Sequence, residues 1–369
     1  MRLSGSQKTA LIANFSYILD ISAFAVILPF LSAEILSDPG QGLTAYSVYG
    51  FSLSATLILG GILTDRMPVR ILFIAGVFLY AFAASLIVFA ESFLSLLVLR
   101  GVQGVGAALF SPCVPLIISR SGDANSAESL TIWGFWSGIV AAASPVVFST
   151  LIILFEWRVA WLIVPFIAFV AILNASKIDE SFRLGQRHRP SANRVTSNLM
   201  FAYVFISYGI TTWFIYAFPL HAEELFGLSP LAIGVYSTLL WGVFATVCWF
   251  MRSLENDSAL FASLRVSALL LIAAAVTFNL SPLSVVLAGA AMALANMPTT
   301  ELILRDTQSK EYGLVASLDI TCARLGGALS VIVIPKDAPV LIISTGFLAA
   351  LLLGFCSVAQ RNSQNVPSS

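Results

Sequence analysis

Apolar residues fill almost the whole chain in blocks of about 20, each long enough to cross a bilayer as a helix, with polar or Gly/Pro breaks between them. Read in order, the blocks predict twelve spans over 8–31, 44–64, 70–90, 93–118, 129–153, 158–175, 198–220, 230–250, 262–280, 282–304, 313–334 and 338–358. They lack the two-residue alternation of strands, and lipid offers no partner to an open backbone donor, so each is read as a helix. The first block follows Arg2 and Lys8 as a signal peptide would. It is too long for a signal core and carries Asp20 in its middle, so it is read as a span.

The longest polar stretch, 176–197, divides six spans from six, predicting a bundle over 1–175, a cytoplasmic linker, and a second bundle with a short tail over 198–369. The halves echo each other at an offset of about 187 residues. Ala45, Val48 and Tyr49 match Ala232, Val235 and Tyr236; Pro29 before Ala33-Glu34 resembles Pro219 before Ala222-Glu223; Pro112 aligns with Pro298. Because six is even, the repeats share one orientation and are related about the membrane normal. Two such bundles rocking around a midplane site make an alternating-access carrier.

Composition sharpens this. Of 369 residues 58% are hydrophobic and 10% charged, too few charges to cover a water-facing surface, so a soluble protein is excluded. With the N-terminus cytoplasmic, fifteen of the 19 basic residues fall on the inner side, and only Arg158 and Lys336 on the outer. That bias predicts cytoplasmic termini; a plasma (inner) membrane location is expected. Zero net charge argues against nucleic acid. Four cysteines without CxxC spacing and two histidines predict neither a disulfide framework nor a metal site, and no cofactor is expected. A monomer is expected.

Two motifs carry a family resemblance. Gly61-Ile62-Leu63-Thr64-Asp65-Arg66-Met67-Pro68-Val69-Arg70, between spans two and three, resembles the signature loop of the major facilitator superfamily, with Pro68 where the family has glycine. Arg100-Gly101-Val102-Gln103-Gly104-Val105-Gly106-Ala107-Ala108 in span four is similar to that family's Arg-x-x-Gln-Gly-x-Gly-Ala-Ala. Glu156-Trp157-Arg158 resembles its Trp-Arg opening of span six. The resemblance implies the twelve-helix fold of two six-helix repeats. Within the family, Asp20 followed by an apolar run to Pro29-Phe30 is similar to the twelve-span drug:proton antiporters. Their span-five ending, Gly-Pro-x-x-Gly-Gly, stands here as Ser144-Pro145-Val146-Val147-Phe148-Ser149, keeping only the proline.

The buried charges are the candidate chemistry, because an ionisable group at the bilayer centre costs about 2.5–3.5 kcal/mol on insertion scales and faces an interior. Asp20 lies about 18 Å along its helix from Lys8, and Arg100 about 13 Å from Glu91 on the other side, so the two depths allow a pair. Arg100 would favour the charged form of Asp20 and burial the neutral form. Two readings stand: proton coupling through Asp20 modulated by Arg100, or a static ion pair fixing helix register.

In span eleven, Arg324 either meets an anionic substrate or pairs structurally with Asp319 or Glu301; the five-residue spacing from Asp319 sends each toward another helix. For Gly61, Asp65, Arg66 and Arg70, the resemblance implies a conformational latch, and the alternative is an ordinary solvated loop. Tyr208, Thr212 and Tyr216 form a hydroxyl-and-ring stripe in span seven beside Trp213, and Asn296 and Thr300 share a face of span ten. Both suit a cavity wall for an amphiphilic ligand, or interhelical packing.

The chain thus reads as a secondary active transporter exporting a small amphiphilic metabolite or drug in exchange for protons. A uniporter or uptake symporter for a small organic anion is the alternative, and a non-transporting receptor or partner subunit a further one. An enzyme is not expected, since no nucleophile–base pair, carboxylate pair or metal spacing is visible.

Overall fold

The computed structural model describes residues 3–36, 39–120, 126–179, 194–251, 257–305, 312–334 and 343–354. Among them the regular structure is helical throughout, without a strand. The helices are α1 (Gly5–Glu34), α2 (Pro39–Arg66), α3 (Val69–Leu86), α4 (Phe93–Phe110), α5 (Cys113–Arg120), α6 (Ser126–Leu154), α7 (Trp157–Trp161), α8 (Ile163–Leu173), α9 (Arg194–Phe226), α10 (Pro230–Met251), α11 (Asp257–Thr277), α12 (Ser284–Arg305), α13 (Tyr312–Val333) and α14 (Ile343–Gly354).

Among the described residues, eight stretches are long and apolar enough to cross a membrane. Shorter apolar helices at Trp157–Leu173, Ser284–Asn296 and Ile343–Gly354, together with α13, stand where the sequence places the other four spans. Their outward faces carry Phe78, Phe82, Phe89, Leu94, Phe166 and Leu173, all exposed, a surface suited to lipid and not to water. The chain is an integral, multi-pass membrane protein.

Boundaries differ from the sequence reading where proline and glycine act against expectation. Span four divides at Ser111–Pro112, because Pro112 and Pro115 each lack the amide donor that would continue the ladder. Span six divides at Leu162, three residues before Pro165, where the Leu162 amide takes the tighter bond to the Val159 carbonyl. Span two opens earlier, at Pro39, since proline suits a first helical turn whose amide has no partner anyway. Span seven runs past Pro219 to Phe226 and stops at Gly227, whose φ of 64° is the left-handed conformation that ends helices. Of the aligned prolines, Pro29 and Pro219 both lie inside helices, whereas Pro112 sits in a turn and Pro298 inside α12.

The chain packs as two compact units. One contains α1–α8 with the stretch Pro219–Thr238; the other contains α9 up to Phe218, α10 from Leu239, and α11–α14. In the first, α2 and α3 flank α4, and α1 lies against α5, α6 and α8. Polar side chains tie α1 in place: Gln7 Nε2 donates to the Ile118 carbonyl at 3.0 Å, Asn14 Nδ2 to Ser137 Oγ at 2.8 Å and Ser16 Oγ to the Val164 carbonyl at 2.6 Å. A Ser4–Gln7 capping box starts the helix. In the second unit, Met200, Tyr203, Leu260, Leu264, Ala295 and Leu302 share one core, and Tyr203 donates to the Leu264 carbonyl at 3.1 Å.

Candidate functional site

Asp20 and Arg100 are brought together in the first unit by the close approach of α4 to its neighbours. Span four can come this near because its small residues face other backbones: a Cβ on Gly104 would stand 2.5 Å from the Tyr49 carbonyl oxygen, and one on Gly106 2.4 Å from the Tyr80 amide. Arg100 is thereby lodged in the interior. Its Nη1 donates to Asp20 Oδ1 at 2.7 Å and to Gln103 Oε1 at 2.7 Å, and both charged side chains have zero exposure. The ring of Phe24, one turn beyond Asp20, lies 4.0 Å from the guanidinium carbon, and the ring of Tyr49 on α2 lies 4.3 Å from it. Desolvated cation–π contacts are worth about 2 kcal/mol. Tyr49 and Tyr80 are the phenols nearest to Asp20, and Tyr80 donates its hydroxyl to the Ser16 carbonyl, one turn before Asp20, at 3.1 Å.

The arrangement is therefore more than the pair that the sequence suggested. Phe24, Tyr49, Tyr80 and Gln103 complete it. The signal for two of them was available in helix spacing, since Phe24 follows Asp20 by four residues and Gln103 follows Arg100 by three. Tyr49 and Tyr80 come from other helices and carry no such signal.

A second charged cluster lies where α1 ends. Arg158 forms an ion pair with Glu34 Oε1, its Nε donates to the Val88 carbonyl at 2.9 Å, and its guanidinium lies over the Trp157 ring. Trp157 Nε1 donates to Glu34 Oε2 at 2.5 Å. The hydrogen bonds from Arg158 and Trp157 hold the Glu34 carboxyl below its ordinary range.

In the second unit, a small recess is lined by Val204, Ser207, Tyr208, Thr211, Met292, Ala295, Asn296 and Thr299, with room for about one water molecule. Tyr208 of α9 and Asn296 of α12 thus line one recess. Arg324, partly exposed, places its guanidinium 5.7 Å from the Tyr208 ring centroid. Thr212 and Trp213 face elsewhere. Thr212 packs on Gly327, while Trp213 donates to the Ile334 carbonyl at 3.1 Å and meets the Phe214 ring edge-on and the Phe278 ring at a tilt. Tyr216 and Asp319 are buried. The side chain of Thr300 lies outside the described residues. Along α9 the recess takes positions 204, 207, 208 and 211, a helical face one step from the predicted stripe, because packing on α13 claims Thr212.

In the loop motif, Gly61 and Arg70 are half-buried, and the side chains of Asp65 and Arg66 lie outside the described residues. Gly60, just before the motif, is in close contact with α4: a Cβ there would stand 2.4 Å from the Ala108 carbonyl oxygen.

Known proteins share this organisation. The family model described as Major Facilitator Superfamily matches residues 10–331. The methylenomycin A resistance protein of Bacillus subtilis is 29% identical over 133 residues, 35% of this chain and 28% of that protein. The drug efflux pump JefA of Mycobacterium tuberculosis is 28% identical over 171 residues, covering 45% and 34%. The hexuronate transporter of Bacillus subtilis is 20% identical over 245 residues, covering 60% and 57%. The chain thus spans between about a quarter and three-fifths of the length of these relatives. A crystal structure of peptide transporter POT in complex with sulfate has the same fold, with a TM-score of 0.77 at 13% identity over 97% of this chain and 95% of that one.

Proposed function

The chain belongs to the major facilitator superfamily, and we propose that it is a secondary active transporter that exports a small amphiphilic compound by alternating access, in exchange for protons. The observation that carries the reading is the fully buried Asp20–Arg100 contact at 2.7 Å. A carboxylate kept from water beside a cation is an expensive arrangement for a membrane helix, and one that suits proton loading. Support for the cargo class comes from relatives named for drug efflux and for resistance to methylenomycin A. The basic-residue bias supports cytoplasmic termini.

Proteoliposomes test the coupling. Ethidium, a permanently charged amphiphile, accumulates in acid-inside vesicles carrying the protein and leaks out when an ionophore collapses the gradient. Uptake indifferent to the gradient contradicts exchange with protons. Arg324 beside Tyr208 favours a second reading, uptake of a small organic anion. In that case glucuronate, and not ethidium, enters vesicles with acid outside.

A further inference from the structure

A proton on Asp20 would cancel the carboxylate charge that Arg100 meets at 2.7 Å, at a place where neither side chain has any exposure to water. An ion pair alone gives no answer to that problem, because removing one partner of a buried pair strands the other. The surroundings of Arg100 do. Its guanidinium lies between the rings of Phe24 and Tyr49, at 4.0 and 4.3 Å, and gives its second Nη1 contact to Gln103 at 2.7 Å.

We infer that Phe24, Tyr49 and Gln103 are positioning residues that hold the Arg100 guanidinium in the interior whatever the charge on Asp20. The two aromatic faces stabilise the cation without needing a counter-charge. Gln103 supplies a neutral oxygen to the same nitrogen that Asp20 engages. Asp20 is thereby free to become neutral while Arg100 stays in register on α4. The titratable or charged groups facing Asp20 are Arg100 from α4, Tyr49 from α2 and Tyr80 from α3. From the other elements against α1, the described contacts near this level are neutral: Ser144 of α6 meets Ser22, and Trp161 of α7 meets Phe24 edge-on. The purpose of the holder rests on the coupling reading, but its existence does not.

The test is thermal unfolding of the full-length protein in detergent, which needs no transport. Asp20→Asn mimics the protonated form and is expected to melt within a few degrees of the parent. In that background Tyr49→Leu or Phe24→Leu lowers the melting temperature by at least about 3 °C more than the same change does with Asp20 present. Tyr49→Phe keeps the ring and is expected to add no such excess. Additive effects, or collapse of Asp20→Asn alone, overturn the inference.

A second measurement serves if the paired variants give no folded protein. The melting deficit of Tyr49→Leu against the parent is expected to widen as pH falls and Asp20 takes its proton, while Tyr49→Phe follows the parent. A deficit constant with pH overturns the holder. If Asp20→Asn proteoliposomes still show gradient-driven ethidium flux, the coupling reading fails, and the melting data alone decide the holder.

Discussion

Tyr49 and Gly104 meet backbone to backbone: a Cβ built on Gly104 would stand 2.5 Å from the Tyr49 carbonyl oxygen. The same Tyr49 lays its ring on Arg100. The helix approach that glycine permits is therefore what sets the aromatic face against the cation. Gly104→Ala is expected to lower stability by about 1–3 kcal/mol through overpacking. Gly101→Ala, whose added carbon would meet Ser52 and Val48 at an ordinary 3.5 Å, is expected to be tolerated. Melting curves of the two purified variants check the contrast. Equal behaviour would mean that α2 and α4 are not in this contact.

Trp213 separates packing from substrate contact. It is 1% exposed, donates to the Ile334 carbonyl and packs edge-on against Phe214 and tilted against Phe278. Trp213→Ala is expected to cost about 3–5 kcal/mol of stability. Trp213→Phe, which keeps most of the contact, is expected to leave the substrate concentration for half-maximal transport unaltered. Tyr208→Leu and Asn296→Ala, at the recess, are expected to raise that concentration with little loss of stability. A saturation curve for ethidium transport with each variant decides between these roles.

At the end of α1, the Arg158–Glu34 contact makes a modest contribution with a defined pH window. Because the folded state holds the Glu34 carboxyl below its ordinary value, the stabilisation is present above about pH 4.5 and fades as pH falls below it. Glu34 is half exposed, so solvent screens the pair and Glu34→Gln is expected to cost well under about 1 kcal/mol at neutral pH. Arg158→Ala is expected to cost more, since it also removes the donor to the Val88 carbonyl and the cover over Trp157. Melting temperatures of both variants at pH 7 and pH 4 test this. The gap between Glu34→Gln and the parent is expected to narrow at the lower pH.

Membrane-spanning blocks, an all-helical fold and the depth match of Asp20 with Arg100 were legible in the sequence, because lipid demands long apolar helices and tolerates few charges within them. Helix ends were less so. Pro219 lies within a continuing helix and Pro112 within a turn, a difference set by the second proline at 115 and by what each helix packs against. At the site, the partners on the same helix as a known charge could be read from three- and four-residue spacing, as with Phe24 and Gln103. Tyr49 and Tyr80 required knowing that α2 and α3 flank α4. The hydroxyl stripe on α9 chose its face by chemistry, whereas the fold chose by packing, placing Ser207 and Thr211 at the recess and turning Thr212 onto Gly327.

One variant separates proton coupling through Asp20 from substrate movement. Proteoliposomes carrying Asp20→Asn are assayed for ethidium in two ways, by accumulation under an acid-inside gradient and by counterflow without one. Loss of the gradient-driven accumulation with counterflow retained is the expected result. Gradient-driven accumulation at the parent's rate would contradict the account.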